Sequence, residues 1–143
     1  MGKLMKEKTL LIIKPDGVKR KLIGEVISRV EKNNFDILNI KFLRLSLKEA
    51  KEFYKIHKGK DFYESLCEFM ASGPIVAILL AGENALFRLR ELVGATDPKK
   101  AQKGTIRGDL GTSIQENVVH AANPEEDVER EIKFFFPEEK LWE

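Results

Sequence analysis

The longest wholly apolar run, residues 75–81, limits the possible folds of this sequence more than any other segment, and it directly follows Gly73-Pro74. A helix that spans a bilayer needs about 20 apolar residues, so this run is far too short to form one. A short apolar run bounded by glycine and proline is typical of a buried strand. Other segments must cover this strand, and a chain of 143 residues is long enough to form a core around it.

Most other segments show one of two periodicities, which together predict the order of secondary structure. Alternation with period two and short β-branched runs indicate strands, and apolar residues spaced three and four apart indicate helices. The predicted strands are residues 9–14, 36–45, 75–80 and 118–119. The predicted helices are residues 22–34, 46–57, 62–70 and 84–94, followed by a last helix from residue 123.

Local signals mark where several of these elements begin. Ser46 and Glu49 have the spacing of a capping box. Asn84 is predicted to cap the helix of residues 84–94. Asn123-Pro124-Glu125-Glu126 combines a side-chain cap, a proline at the first helical position and acidic residues in the first turn. Pro15-Asp16-Gly17 predicts a turn after the first strand.

This order of elements predicts an α+β sandwich in which helices pack on one side of a small sheet. In the second strand, Asn39 and Lys41 alternate with apolar residues, so one face is expected to meet water. No repeat or linker divides the sequence, and residues 1–143 are therefore expected to form a single domain. The stretch between Gly94 and Asn117 has little periodicity, and loops of that length are usually functional or disordered.

Composition excludes several classes of protein. The net charge is only +2, so the basic excess typical of a nucleic-acid-binding domain is absent and no specific nucleic acid is expected as a partner. Cys67 is the only cysteine, which rules out an intramolecular disulfide and a metal site built from several cysteines. Residues 1–6 are too polar for a secretory signal. No membrane partner is expected, and the predicted location is a reducing cytoplasm.

Several polar residues fall on the apolar faces of predicted helices. Arg90 lies on the inward stripe of its helix, whereas Arg88 points away. Tyr54 and His57 share the apolar face of the helix after Ser46, and Glu131 flanks the apolar face of the last helix. Each has a structural interpretation: an arginine that reaches water, a core tyrosine, a histidine at a helix end, or a solvated acid.

The occurrence of several such residues in one chain favours a functional interpretation. Lys14 ends the first strand, where it could either reach water or place a cation at the edge of a cleft. His120 follows two valines, and a lone histidine in such a place is more often structural. Together with the arginines, a hydroxyl, an amide and an aromatic ring, they form the set that phosphoryl transfer needs: cations around phosphate oxygens and an aligned nucleophile. The sequence contains no Walker motif, no protein-kinase catalytic loop and no Rossmann glycine pattern.

Seven ordered segments, spread from Thr9 to about Phe136, carry a resemblance to a known family. These segments are Ile13-Lys-Pro-Asp-Gly17, Phe53-Tyr-Lys-Ile-His57, Ser72-Gly-Pro74, Arg90-Glu-Leu-Val-Gly-Ala-Thr96, Gly104-Thr-Ile-Arg-Gly-Asp109, Asn117-Val-Val-His120 and Glu129-Arg-Glu-Ile132. In these segments the sequence resembles the nucleoside diphosphate kinase family. The resemblance implies a ferredoxin-like βαββαβ sandwich with a four-stranded antiparallel sheet.

For the chemistry, the resemblance implies a ping-pong exchange through a phosphorylated His120. The Nδ1 atom would take the γ-phosphate of a nucleoside triphosphate, mainly ATP, and return it to a nucleoside diphosphate. Neutral imidazole offers a lone pair without a separate base. Mg²⁺ would bind mainly through the substrate phosphates rather than through protein ligands. Self-association as a homo-oligomer is also implied, with a hexamer favoured over a tetramer.

The resemblance also assigns roles to the remaining candidate residues. Glu131 would hold the His120 ring, and Tyr54 would hydrogen-bond near the histidine and the phosphate. Lys14 would approach the transferred phosphate and, with Asn117, the sugar 3′-hydroxyl. The nucleotide-binding residues it implies are Lys14, His57, Phe62, Arg90, Thr96, Arg107 and Asn117, with Phe62 stacking on the base.

The sequence departs from the family directly after the histidine. The usual Gly-Ser-Asp-Ser is replaced by Ala121-Ala122-Asn123-Pro124, and Ala122 lacks a hydroxyl that supports the carboxylate and the histidine in the family. We expect weaker support rather than inactivity. Two alternatives stay open: a nucleotide-binding regulatory relative with impaired turnover, which Ala122 favours, and an RNA-binding module, for which no RNP-like motif is found.

Overall fold

A four-stranded antiparallel sheet with strand order β2-β3-β1-β4 forms the centre of the protein. The computed structural model describes residues 6–139. The ends of the predicted 1–143 domain, including most of the polar N-terminus, lie outside the described residues. The elements are β1 (Lys6–Ile13), α1 (Pro15–Lys19), α2 (Ile23–Lys32), β2 (Asp36–Leu43), α3 (Leu47–Phe53), a 3₁₀ turn (Lys55–His57), α4 (Tyr63–Met70), β3 (Ile75–Glu83), α5 (Ala85–Val93), α6 (Ile106–Leu110), β4 (Val119–Ala121) and α7 (Val128–Phe135).

The two central strands are buried on both faces. In β1, Leu10 and Ile12 pack into one apolar cluster with residues of α3, α4 and α7, while Leu11 and Ile13 pack into a second cluster with residues of α2, α5 and α6. The α+β class and the four-stranded antiparallel sheet are confirmed. The expectation that helices cover only one side is wrong, because the apolar run in β3 has side chains in both clusters.

Two predicted helix starts differ in the structure. Asn123 does not cap α7: its Oδ1 accepts a hydrogen bond from the Glu125 N–H in a local turn, and the cap is Asp127, whose side chain accepts from the Arg130 N–H. Asn84 precedes α5 in a left-handed conformation and makes no side-chain cap.

Two shorter helices lie where the sequence predicted a turn or a loop. Pro15, Asp16 and Gly17 form the beginning of helix α1, and the proline is its first residue. Helix α6 lies within the long stretch before Asn117 and begins at Thr105, whose hydroxyl accepts from the Gly108 N–H. The capping box of Ser46 and Glu49 is confirmed at α3.

The edge strand β2 exposes the opposite side from the one expected. Asn39 and Lys41 are partly buried, and Lys41 Nζ donates to the carbonyl of Phe135. The exposed side chains are apolar: Leu38, Ile40 and Phe42. A register irregularity between Ile37 and Asn39 separates the two halves of this strand. In the part of the chain described, no helix has the length and apolar character needed to cross a membrane.

Candidate active site

The candidate site is a cleft of about 340 Å³ at the end of the sheet where β1 and β4 meet. Its walls come from segments far apart in sequence, because β4 pairs with β1 and brings residue 120 opposite Ile12. The cleft collects most of the predicted site residues. Those lining it are Lys14, Tyr54, His57, Phe62, Arg90, Thr96, Arg107 and His120.

His120 lies in the middle of strand β4 and is held by two kinds of contact. Its Nε2 atom lies 2.7 Å from Oε1 of Glu131, a buried residue of α7. The rings of Phe53 and Tyr54 contact the imidazole edge to face, at centroid distances of 5.5 and 5.7 Å. A carboxylate only accepts hydrogen bonds, so Nε2 carries the proton, and Nδ1 is the nitrogen left with a lone pair.

The tyrosine and the second histidine are uncharged neighbours of this ring. Burial, with the charge of Glu131 as a smaller cause, raises the pKa of Tyr54, so its hydroxyl stays protonated and able to donate. Partial burial lowers the pKa of His57, which favours its neutral form. The His57 ring lies 5.3 Å from that of Phe62 at the mouth of the cleft.

Lys14 is a buried cation at the base of the cleft. Its Nζ donates to the carbonyl of Gln115 at 2.6 Å and to Oδ1 of Asn117 at 2.9 Å. Asn117 in turn donates to the carbonyl of Thr96 at 2.9 Å. Burial and the charge of Arg107 lower the pKa of Lys14 to about 8. An anionic ligand would favour the charged form of this lysine.

Two arginines tie the cleft wall to the backbone of β4. Arg107 donates to the carbonyls of Gly94 at 3.2 Å and Val119 at 2.8 Å, and Arg90 donates to the carbonyl of Ala121 at 3.2 Å. Burial and the charge of Arg90 lower the pKa of Arg107 to about 10, so the Arg107 guanidinium is cationic at neutral pH. The Nε atom of Arg107 is buried without a partner among the described residues. Cations so close together favour an anion between them.

Sequence reasoning missed several residues that line the cleft. Ile114 is 61% exposed and lies at the cleft with Phe62, which is 48% exposed. The only sequence signal for Ile114 was an isolated apolar residue in a polar loop. Asn123 and Glu126 also line the cleft, but the sequence assigned them to the start of a helix.

The side chains fit a divalent ion that arrives with a phosphate ligand. Within residues 6–139, no group of three or more His, Cys, Asp or Glu residues is arranged to hold a metal. Asn123 and Glu126, which precede α7, bring side-chain oxygen atoms to the lining of the cleft. The cations Lys14, Arg90 and Arg107 also line the cleft, and they suit phosphate oxygens rather than a metal.

Together, a histidine with one free ring nitrogen and a set of cations in an open cleft define the site of a phosphotransferase that acts on nucleotides. The family model for nucleoside diphosphate kinase matches residues 7–141. The chain therefore belongs to the nucleoside diphosphate kinase family, and its activity is that of a nucleoside diphosphate kinase.

Relatives of known name and structure agree with this assignment. The chain is 45% identical to a nucleoside diphosphate kinase of Methanocaldococcus jannaschii over 97% of this chain and 99% of that protein. It is 50% identical to one from Helicobacter pylori, over 92% and 96%. The structure of the Halobacterium salinarum enzyme in complex with CDP matches with a TM-score of 0.91 and 38% identity, over 97% and 93% of the two chains.

Proposed function

We propose that this kinase works through a phosphohistidine at His120. The observation that carries the proposal is the 2.7 Å contact between Nε2 and Glu131, which leaves Nδ1 free in a cleft lined by Lys14, Arg90 and Arg107. The Nδ1 lone pair forms a bond to the γ-phosphorus, and the bond between that phosphorus and the β-phosphate oxygen breaks. The diphosphate leaves with the electron pair, and a second diphosphate reverses the step.

The surrounding residues would divide the work of binding. Arg90, Arg107 and Thr96 would hold phosphate oxygens, and Lys14 would neutralise the charge of the transferred group. Lys14 and Asn117 already contact each other at 2.9 Å, which supports a shared role at the sugar 3′-hydroxyl. Tyr54, with its protonated hydroxyl, would donate a hydrogen bond near the phosphate.

The base would lie between the exposed side chains of Phe62 and Ile114. A stacking contact accepts any base because every base has a π-face. His57, beside Phe62, would border the same slot. Mg²⁺ carried by the phosphates would neutralise their charge, and Asn123 and Glu126 would face it from the α7 side of the cleft.

The phosphohistidine is tested by incubating the protein with γ-labelled ATP and Mg²⁺ without an acceptor. The chain has only two histidines, so His57→Ala is a matched control for His120→Ala. We expect acid-labile label on the wild type and on His57→Ala but not on His120→Ala, and transfer of the label to GDP in a chase. Label that persists on His120→Ala would overturn the proposal.

We also propose that the chain forms a homo-oligomer, for which family resemblance favours a hexamer over a tetramer. Strand β2 is at the edge of the sheet, and Leu38, Ile40 and Phe42 are 45%, 44% and 64% exposed on it. An exposed apolar edge strand favours pairing with a second copy. Light scattering should give an oligomer for the wild type and a smaller species for Phe42→Glu. A wild-type monomer would exclude assembly.

Two further expectations concern the extent of the domain and the location of the protein in the cell. The family match over residues 7–141 supports one domain spanning residues 1–143. The buried free thiol of Cys67 is typical of a protein kept in a reducing cytoplasm. Fluorescence of a tagged chain in cells would test that location.

A further inference from the structure

Val118, two residues before His120, has an unusual backbone conformation. Its φ is +77°, a left-handed value that β-branched residues rarely adopt. The Val119 N–H donates to the Asn117 carbonyl at 2.9 Å, so Val118 is the central residue of a three-residue turn of the rare, strained type. This turn joins Asn117, whose side chain contacts Lys14, to strand β4. Strain of this kind persists only where neighbouring groups hold it.

The groups that hold the turn come from the segment around α1. The Asp16 carboxylate accepts the Val118 N–H through Oδ2 at 3.0 Å, and the Lys14 N–H donates to the Val118 carbonyl at 2.8 Å. Val118 is fully buried, and within residues 6–139 the Asp16 carboxylate is the acceptor of its N–H. Both polar ends of the strained residue are therefore fixed by residues about 100 positions earlier in the chain.

The close approach of α1 to this turn also depends on Gly17. A Cβ atom at Gly17 would lie 3.1 Å from the Val118 carbonyl oxygen and 2.8 Å from Cγ2 of Ile13. A side chain at this position would push α1 away from the turn. The second carboxylate oxygen of Asp16, Oδ1, is buried and has no hydrogen-bond partner among the described residues. Burial raises the pKa of this carboxyl, so placing Asp16 here costs stability.

We propose that Asp16 is a positioning residue: through the Val118 N–H, it holds the strained turn that sets His120 in the cleft and Asn117 against Lys14. Asp16 does not line the cleft and has no contact with His120 in the structure, so its effect passes through the backbone of Val118. The inference rests on the proposed phosphohistidine mechanism, because it assigns the backbone geometry that this mechanism needs. A small displacement of a nucleophile is enough to reduce a reaction rate about 100-fold.

The proposal predicts a specific interaction between two substitutions. Asp16→Ala removes the acceptor, and we expect single-turnover phosphorylation of His120 by ATP to slow about 10- to 100-fold. Glycine adopts a positive φ without strain, so Val118→Gly in the Asp16→Ala background should restore the rate to within about threefold of Val118→Gly alone. Val118→Ala is the matched control: it also shortens the side chain but keeps the strain, and it should not restore the rate.

Asp16→Asn keeps an oxygen acceptor of the same shape and should stay within about threefold of the wild type. If Asp16→Ala does not fold, Asp16→Ser takes its place, since its hydroxyl is too short to reach Val118. Equal rates for Asp16→Ala and wild type would overturn the proposal. So would equal effects of Val118→Gly and Val118→Ala in the Asp16→Ala background.

A second readout separates this inference from the proposed mechanism. ¹⁵N shifts of the His120 ring are recorded on nucleotide-free protein, where no phosphorylation is involved. We expect them to change in Asp16→Ala and to return towards wild-type values with Val118→Gly but not with Val118→Ala. Unchanged shifts in Asp16→Ala would overturn the inference. If the shifts change between the variants as predicted but the wild type forms no phosphohistidine, the inference stands and the proposed mechanism is contradicted.

Discussion

Nε2 of His120 and Oε1 of Glu131 lie 2.7 Å apart, although one residue is in strand β4 and the other is buried in helix α7. This contact fixes the orientation of the imidazole and assigns the proton to Nε2. It leaves Nδ1 as the ring nitrogen that the proposed phosphohistidine mechanism requires. The same arrangement of a carboxylate behind a reactive histidine orients the ring in many sites.

Removing the carboxylate behind His120 should slow phosphorylation with little effect on nucleotide binding. A hydrogen bond to a charged group contributes about 1.5–3 kcal/mol, so Glu131→Ala should reduce the single-turnover rate roughly 10- to 100-fold. Glu129→Ala, on the exposed side of the same helix, is the control and should keep the wild-type rate. An equal loss in both variants would mean that damage to the helix, not loss of the contact, is responsible.

The activity should decline as Lys14 loses its proton. Its pKa of about 8 in the nucleotide-free protein is below the ordinary value of 10.5, so the lysine is charged below pH 8 and neutral above it. Because the charged form attracts phosphate, kcat/KM should fall as the pH rises through about 8. Lys14→Arg stays charged and should move this decline to higher pH, even if its maximum rate is lower. A profile unchanged in Lys14→Arg would exclude Lys14 as the group that titrates.

Substitution of Arg90 should weaken nucleotide binding, whereas substitution of Arg88 should lower the stability of the fold. Arg90 faces the cleft, whereas Arg88 stacks at 4.4 Å over Phe35 and donates to the carbonyls of Glu83 and Asn33. Arg90→Ala should raise the Kd for ADP roughly 10- to 100-fold, as expected for loss of a charge-assisted contact. Arg88→Ala should leave the Kd unchanged but lower the Tm by about 3–6 °C. Calorimetric titration would measure the Kd and thermal unfolding the Tm of both variants. A raised Kd for Arg88→Ala together with a lowered Tm for Arg90→Ala would contradict the prediction.

Restoring a hydroxyl at Ala122 should change turnover little. Ala122 is buried beside the site, and the contact between His120 and Glu131 is made without a hydroxyl at this position. Ala122→Ser should therefore change kcat by less than about threefold, with a loss of roughly 1–3 kcal/mol in stability if the hydroxyl is unpaired. Ala122→Cys has nearly the same size and is the control. A tenfold gain for serine alone would mean that the missing hydroxyl limits this enzyme.

Much of the architecture followed from local patterns. Apolar periodicity and short β-branched runs located all four strands and the helices α2, α3, α4, α5 and α7, because burial imposes a repeat of two or 3.6 residues on the sequence. The stripe on α5 also separated Arg90 from Arg88 correctly. Short elements escaped this reasoning: α1 and α6 have five residues each, too few for a period to emerge.

Helix starts were less predictable than helix faces. Asn84 and Asn123 are of a residue type that often caps helices. In the structure, however, Glu7 accepts the Leu86 N–H at the start of α5, and Asp127 caps α7. Several side chains compete for each free N–H group, and those brought near by the fold are not visible in a local window.

The amino-acid sequence alone was enough to predict the order of the four strands and the longer helices. Its motifs predicted a set of site residues, most of which the fold brings to one cleft. The three-dimensional packing was needed to show that helices cover both faces of the sheet, that apolar side chains of β2 face outward, and that Asp16 accepts the N–H of Val118. Hydrogen bonds such as that between Asp16 and Val118 join residues about 100 positions apart. Their geometry depends on the packing of whole elements, which no periodicity along the chain encodes.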